Sequence, residues 1–116
     1  MDFASALAQR VQSVVPEGFI VSAEGGWVRV SRGDDWGTST GVELVLGDNN
    51  EGMAIAASAV LNSVQDYVSQ ELREPWPCGR FDLPEAVVEG STLRMWFGDR
   101  SRPTLAMSEI DLTDLR

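Results

Sequence analysis

The sequence contains no histidine and no lysine, so all nine of its cations are arginine. Without histidine, the chain lacks an imidazole metal ligand, Ser-His-Asp or Cys-His catalysis, and a side chain that ordinarily titrates near neutral pH. Without lysine, it can form neither a Schiff base nor the lysine contact of a phosphate-binding loop. Carboxylate, serine, tyrosine and arginine chemistry remain. We therefore expect a protein that is not an enzyme.

Cysteine and long apolar runs are scarce as well. Cys78 is the only cysteine, which excludes an internal disulfide, a zinc ribbon and a cysteine-bound iron–sulfur cluster. No apolar run reaches the length of a membrane span, and the first residues lack the basic region of a signal peptide. The sequence predicts a cytoplasmic protein with no cofactor and no metal, in which Cys78 is a plain thiol.

Negative charge is the strongest global feature of the chain. Eighteen carboxylates outnumber the nine cations and give a formal net charge of -9. This charge repels nucleic acid and anionic lipid, because binding either of them requires cations. It attracts and steers a basic protein surface. The expected partner is therefore another protein with a basic surface, not a nucleic acid or a membrane.

The length and composition predict one folded domain over residues 1–116. Apolar residues make up 43% and charged residues 23% of the chain, close to the averages of globular proteins. Apolar side chains recur at helical spacing over residues 3–15, where Asp2 can serve as the N-cap, and over residues 51–73.

Alternating apolar runs predict six strands among turn-forming residues. The predicted strands are 19–23, 27–31, 42–46, 86–88, 92–97 and 104–107. Residues 33–40 and 74–85 are predicted to be loops, and a change of alternation near Ser108 indicates a β-bulge. The order α-β-β-β-α-β-β-β predicts an α+β fold, with an antiparallel sheet and two helices on one face.

Four tryptophans in a chain of this length are the best candidates for function. Trp27 and Trp96 fall in predicted strands, where core or half-buried positions are expected. Trp36 and Trp76 fall in predicted loops, where aromatic residues are frequent at binding hot spots. The same two residues can instead cover the ends of a sheet, and both readings stay open. We predict Trp36 and Trp76 as partner-binding residues.

Two other patterns have structural interpretations. Arg94 and Trp96 share one face of a predicted strand, where a guanidinium can stack on an indole, and Glu109 can pair with the arginine. The run from Asp48 to Gly52 resembles part of a calcium loop but departs from the pattern at Gly52, so a turn before the second helix is expected.

The C-terminal half resembles a group of small acidic actinobacterial proteins of unknown function. The resemblance lies in Glu74-Pro75-Trp76-Pro77, Val88-Glu89-Gly90, Leu93-Arg94-Met95-Trp96-Phe97-Gly98-Asp99 and Pro103-Thr104-Leu105. Because the group carries no assigned activity, it implies no site residues.

The element order and acidity are also similar to the type III secretion chaperones, which are small acidic α+β proteins that dimerise and hold partner polypeptides. This similarity implies a homodimer. The sequence departs from that class in lacking a clear final helix.

These features together predict a small acidic protein-binding module without catalytic activity, either a chaperone-like adaptor or an immunity-type protein that neutralises a basic toxin. One alternative is an enzyme that uses carboxylate and arginine chemistry. Another is an inhibitor whose carboxylates imitate the phosphates of DNA, although the carboxylates are scattered along this chain.

Overall fold

The computed structural model describes residues 2–42, 50–77 and 82–115. Within these ranges the chain forms two α-helices, seven strands and one short 3-10 helix. The elements are α1 (Phe3–Gln12), β1 (Phe19–Glu24), β2 (Trp27–Arg32), β3 (Thr38–Gly41), α2 (Asn50–Leu72), β4 (Pro84–Glu89), β5 (Thr92–Asp99), β6 (Arg102–Ala106), β7 (Ile110–Asp111) and the 3-10 helix Leu112–Asp114.

The predicted α+β class and the order α-β-β-β-α-β-β-β are confirmed, with β7 added at the end. The strands divide between two antiparallel sheets rather than forming one. The N-terminal sheet has the order β1-β2-β3, and the C-terminal sheet has the order β4-β5-β6, with β7 also paired to β5. Helix α1 packs on β1 and β2, whereas α2 contacts both sheets.

The predicted loop 33–40 is wrong at its end, because Thr38 begins β3. Polar Thr38–Gly41 forms this strand because it pairs with β2, from Val30 opposite Thr38 to Trp27 opposite Gly41. The predicted strand 42–46 lies outside the described residues, except for Val42.

The β-bulge predicted near Ser108 is confirmed by the register of the C-terminal sheet. Trp96 pairs with Ala106, and Leu93 pairs with Ile110. Leu93 lies three residues before Trp96 in β5, whereas Ile110 lies four residues after Ala106 in the segment that faces it. One extra residue therefore lies between β6 and β7. The extra residue lets Leu93 and Ile110, both fully buried, face the core together.

One cluster of buried side chains draws on both helices and both sheets. The predicted stripe of α2 supplies a large share of it, including the fully buried Val60, Leu61 and Val68. The predicted N-cap of α1 is also confirmed, since Asp2 Oδ1 accepts a hydrogen bond from the Ser5 N–H at 2.8 Å. Helical periodicity therefore located both inner faces correctly.

Helix α2 ends in a Schellman motif built on arginine instead of glycine. Arg73 has a φ of 58°. Its N–H donates to the carbonyl of Gln70, and the next N–H, of Glu74, donates to the carbonyl of Ser69. This hydrogen-bond pattern normally selects glycine, which has no Cβ to strain the left-handed conformation.

Replacing Arg73 with glycine is expected to raise the free energy of unfolding by about 0.5–1 kcal/mol, since the left-handed strain disappears. Arg73→Ala is the matched control because it removes the same guanidinium but keeps the Cβ. Urea denaturation measures both. Equal stabilisation by the two variants would assign the effect to charge instead of backbone strain.

Candidate functional site

Two exposed tryptophans lie on the outer face of the N-terminal sheet. Residues of β2 alternate, so Val28 and Val30 are buried in the core while Trp27 and Arg29 point outward. Trp27 is 53% exposed and Trp36, in the loop before β3, is 74% exposed. This face therefore presents the largest aromatic surface among the described residues.

Trp27 lies across the glycine opposite it in the sheet. A Cβ placed on Gly41 would come within 3.5–3.6 Å of the outer ring atoms of Trp27, and the two residues are cross-strand partners. An aromatic ring over a glycine covers backbone that no side chain of its own protects. This contact fixes the Trp27 ring while leaving about half of the residue open to solvent.

Trp36 is held by Arg29. The guanidinium carbon of Arg29 lies 4.4 Å from the centroid of the indole ring, within the range of a cation–π contact. Arg29 Nε also donates to the carbonyl of Trp36 at 2.9 Å. One arginine thus stacks on the indole and anchors its backbone.

The loop that carries Trp36 is fastened to α2 through Tyr67. The Tyr67 hydroxyl donates to Asp35 Oδ2 at 2.5 Å, and the Asp35 N–H donates to the carbonyl of Arg32 at 3.0 Å. Arg32 Nη1 in turn donates to the carbonyl of Glu71. The loop is therefore bonded to the helix on one side and to β2 on the other.

Burial, together with the hydrogen bond to Asp35, raises the pKa of Tyr67 from 10.0 to about 12. Tyr67 is the only tyrosine in the chain, so tyrosinate absorbance reports this group alone. We expect a titration midpoint near pH 12 in the folded protein. Asp35→Asn is expected to lower the midpoint without restoring the ordinary value, because burial remains.

The same shift makes stability depend on pH in the alkaline range. The folded state retains the Tyr67 proton at pH values where the unfolded chain loses it. The stabilising contribution is complete below about pH 10 and is lost as pH rises towards 12. A Tyr67→Phe variant, which cannot ionise, should lack this contribution to alkaline unfolding. An unchanged alkaline transition would contradict the assignment.

The tryptophan groove lies between these side chains on the outer face. It has a volume of about 250 Å³. Its lining residues are Ser22, Glu24, Trp27, Arg29, Trp36 and Ser39. Arg29 forms no ion pair with any described residue, and neither groove indole N–H donates a hydrogen bond within the described ranges.

The structure buries Trp76, one of the two residues predicted to bind a partner. Trp76 is only 6% exposed and meets Phe97 edge to face, with ring centroids 5.3 Å apart. The backbone N–H of Trp76 donates to Ser69 Oγ at 2.9 Å, and Gln65 Nε2 donates to the Trp76 backbone carbonyl at 3.2 Å. The chain folds back after the Schellman motif and places this indole in the core, where no partner can contact it.

Trp27 is the functional candidate that the sequence interpretation missed. A core or half-buried position was expected for it, but more than half of it is exposed. The sequence of β2 did indicate this exposure, because its alternation assigns Val28 and Val30 to one face of the strand and Trp27 to the other. Trp36 lies at the surface, where the structure pairs it with Trp27 instead of Trp76.

The outer face of the C-terminal sheet carries a compensated charge network. Arg94 lies 3.6 Å from carboxylate oxygens of both Glu89 and Glu109, and Arg100 also pairs with Glu89. The predicted pair of Arg94 with Glu109 is thus present. Arg100, rather than Arg94, stacks on Trp96, at 5.6 Å. These exposed pairs contribute little stability.

A larger cleft, of about 430 Å³, lies at the C-terminal end of α2. Asp66, Arg73 and Glu74 contribute to its lining, without an aromatic residue. The groups whose pKa values are shifted line neither this cleft nor the tryptophan groove. Hydrogen bonds from a serine or threonine two or three residues later lower the pKa values of Asp2, Asp99 and Asp111.

The described ranges contain neither a metal-binding cluster of side chains nor a membrane-spanning helix. No cluster of three or more cysteine, aspartate or glutamate residues is arranged to hold a metal ion there. None of the described helices is long and apolar enough to cross a membrane. Cys78 lies outside the described residues.

Comparisons with known proteins give no match. No protein-family model matches the sequence, and neither curated proteins nor solved structures provide a similar chain or fold.

Proposed function

We propose that this protein is a small acidic protein-binding module that contacts its partner through the tryptophan groove. The observation that carries the proposal is the exposure of Trp27 and Trp36 beside Arg29. Tryptophan and arginine are the residue types most enriched among binding hot spots. The held position of Trp36 supports the proposal, because a pre-arranged side chain loses little entropy on binding.

The net charge of -9 supports a partner with a basic surface. Charge complementarity of this kind accelerates association and disfavours acidic competitors. A chaperone-like adaptor and an immunity-type protein that neutralises a basic toxin both fit a partner of this chemistry. We propose no catalytic activity, since the groups with shifted pKa values lie outside the tryptophan groove, and Arg94 and Arg100 are paired with carboxylates.

The test is affinity capture of partners from the native lysate, with two tryptophan variants and two matched controls. Trp36→Ala is matched by Leu83→Ala, since these residues are 74% and 70% exposed. Trp27→Ala is matched by Ile55→Ala, at 53% and 56%. A hot-spot contribution of about 2 kcal/mol corresponds to roughly a 30-fold loss of affinity.

We expect wild type and both controls to retain the same partner, while both tryptophan variants lose it. Elution of the partner should become easier as salt rises, because exposed charges are screened. Retention of that partner by all five proteins would contradict the assignment of the groove. Recovery of the chain alone at every salt concentration would contradict protein binding itself.

A further inference from the structure

The tryptophan groove offers mainly hydrogen-bond donors. Two indole N–H groups, from Trp27 and Trp36, have no partner among the described residues. Among the described residues, the guanidinium of Arg29 donates a hydrogen bond only from its Nε, and serine hydroxyls flank it. A complementary ligand therefore brings acceptors, such as backbone carbonyls that are free of internal hydrogen bonds.

Addition of a partner strand is blocked at two backbone groups of the β1 edge. The side chain of Gln12 lies against β1, where Nε2 donates to the carbonyl of Phe19 at 3.0 Å and Oε1 accepts from the N–H of Val21 at 2.7 Å. This amide occupies the positions that an added strand would use. An extended peptide thus cannot join the sheet at these residues.

A partner helix also fits the groove poorly. A docked amphipathic helix needs an apolar channel that accepts several anchors spaced along its length. Here Trp27 and Trp36 are the two apolar lining residues, and the other four are polar or charged. Two apolar anchors do not make up the row that a docked helix requires.

A polyproline II segment has the properties that the groove requires. It has no internal hydrogen bonds, so its carbonyls are free to accept, and its proline rings pack against aromatic side chains. Arg29 covers one face of the Trp36 indole, at 4.4 Å, while the residue as a whole remains 74% exposed. The other face of that ring is therefore available to a proline.

Carboxylates around the groove add a preference for a basic residue. Glu24 lines the groove itself, and Asp34 and Asp35 precede Trp36 in the same loop. Neither Glu24 nor Asp34 forms an ion pair with a described residue. An arginine or lysine in the ligand meets uncompensated negative charge at Glu24, in the groove itself.

We propose that the tryptophan groove binds a proline-rich segment of the partner, in the polyproline II conformation, that carries an arginine or lysine. This inference rests on the proposed function of the same groove and adds the class of its ligand.

The experiment follows the four indole N–H signals of the intact protein by NMR during peptide titration. The first probe is a peptide of about ten prolines with an arginine at each end. The second probe is polyproline of the same length without the arginines and with blocked termini, and the control is a glycine–serine peptide with the same arginines. Trp27→Ala and Trp36→Ala assign the two groove signals, and Trp76 and Trp96 serve as internal references.

We expect the arginine-flanked polyproline to move the Trp27 and Trp36 signals alone, with a dissociation constant of about 10 µM to 1 mM. Trp36→Ala should weaken binding at least about tenfold, whereas Leu83→Ala should not. Uncharged polyproline should bind more weakly, and Glu24→Gln should reduce the difference between the two polyproline peptides.

Several results would overturn the inference. These are the absence of shifts with both polyproline peptides, equal shifts with the glycine–serine peptide, and shifts confined to Trp76 or Trp96. Movement of the groove signals on concentrating the protein alone would identify a second copy of the chain as the occupant and overturn the inference too. Failure here together with tryptophan-dependent capture from lysate would overturn only the ligand class, and the proposed protein-binding function would stand.

Discussion

Replacing Gly37 with alanine is expected to lower the free energy of unfolding by about 3 kcal/mol. Gly37 has a φ of 80°, and a Cβ added there would lie 1.9 Å from the carbonyl oxygen of Val30 and 2.8 Å from the Cβ of Ser31. Both contacts belong to β2, and the first is to rigid backbone. The overlap can be relieved only by moving β2 away from the chain that enters β3.

Gly33→Ala is the matched control for this prediction. Gly33 has a φ of 59°, but a Cβ there would meet nothing within 4 Å. It should therefore cost only about 1 kcal/mol, from the left-handed conformation alone. Urea unfolding followed by far-UV circular dichroism measures both variants. If both variants lowered the free energy of unfolding equally, the close approach of Gly37 to Val30 would not contribute to the cost of Gly37→Ala.

Gly37→Ala should also weaken partner binding more than its cost in stability implies. Gly37 follows Trp36 directly, and the Trp36 carbonyl accepts its hydrogen bond from Arg29. Displacing the backbone at Gly37 moves the indole from its place in the groove. At temperatures where the variant remains folded, its peptide affinity should resemble that of Trp36→Ala.

Replacing Trp76 with alanine is expected to cost about 3–5 kcal/mol of stability, the range for removing a large aromatic side chain from a core. The cost arises because Trp76 is 6% exposed and packs edge to face on Phe97, which is fully buried. Truncation leaves a cavity beside Phe97. Trp76→Phe should recover part of the loss by restoring a ring in that space.

Trp36→Ala is the control for the Trp76 prediction. It loses only an exposed contact with Arg29, so we expect a change of no more than about 1 kcal/mol. Circular dichroism is the suitable probe because both variants remove a fluorophore. A Trp36→Ala loss as large as that of Trp76→Ala would mean that the groove residues support the fold instead of a partner.

The opposite positions of Trp36 and Trp76 show how far sequence interpretation reaches for this protein. Both lie in connecting segments, and local sequence offers no measure of what each segment will face. Trp76 is buried because the chain reverses at Arg73 and returns across α2, where Ser69 accepts its N–H. The packing of Trp76 against Phe97 of β5 is a long-range contact, and the neighbouring prolines do not predict it.

Short-range sequence patterns predicted the helix faces, the N-cap of α1 and the bulge more accurately than the exposure of the tryptophans, because local interactions determine these features. Helical spacing located the inner faces of α1 and α2, and Asp2 was correctly identified as a cap. The change of alternation near Ser108 correctly indicated a bulge. The polar strand β3 was missed, because Thr38–Gly41 lacks an apolar alternation and pairs only because β2 lies beside it.

The sequence by itself determined the acidic character, the absence of histidine and lysine chemistry, and the α+β order of elements, since composition and periodicity depend only on neighbouring residues. The tertiary structure alone decided which tryptophans reach solvent, and it divided the strands between two sheets. Its contacts bring Arg29 onto Trp36 and Gln12 onto the edge of β1. Exposure and pairing depend on what the rest of the chain places against a residue, and that is settled only when distant segments pack.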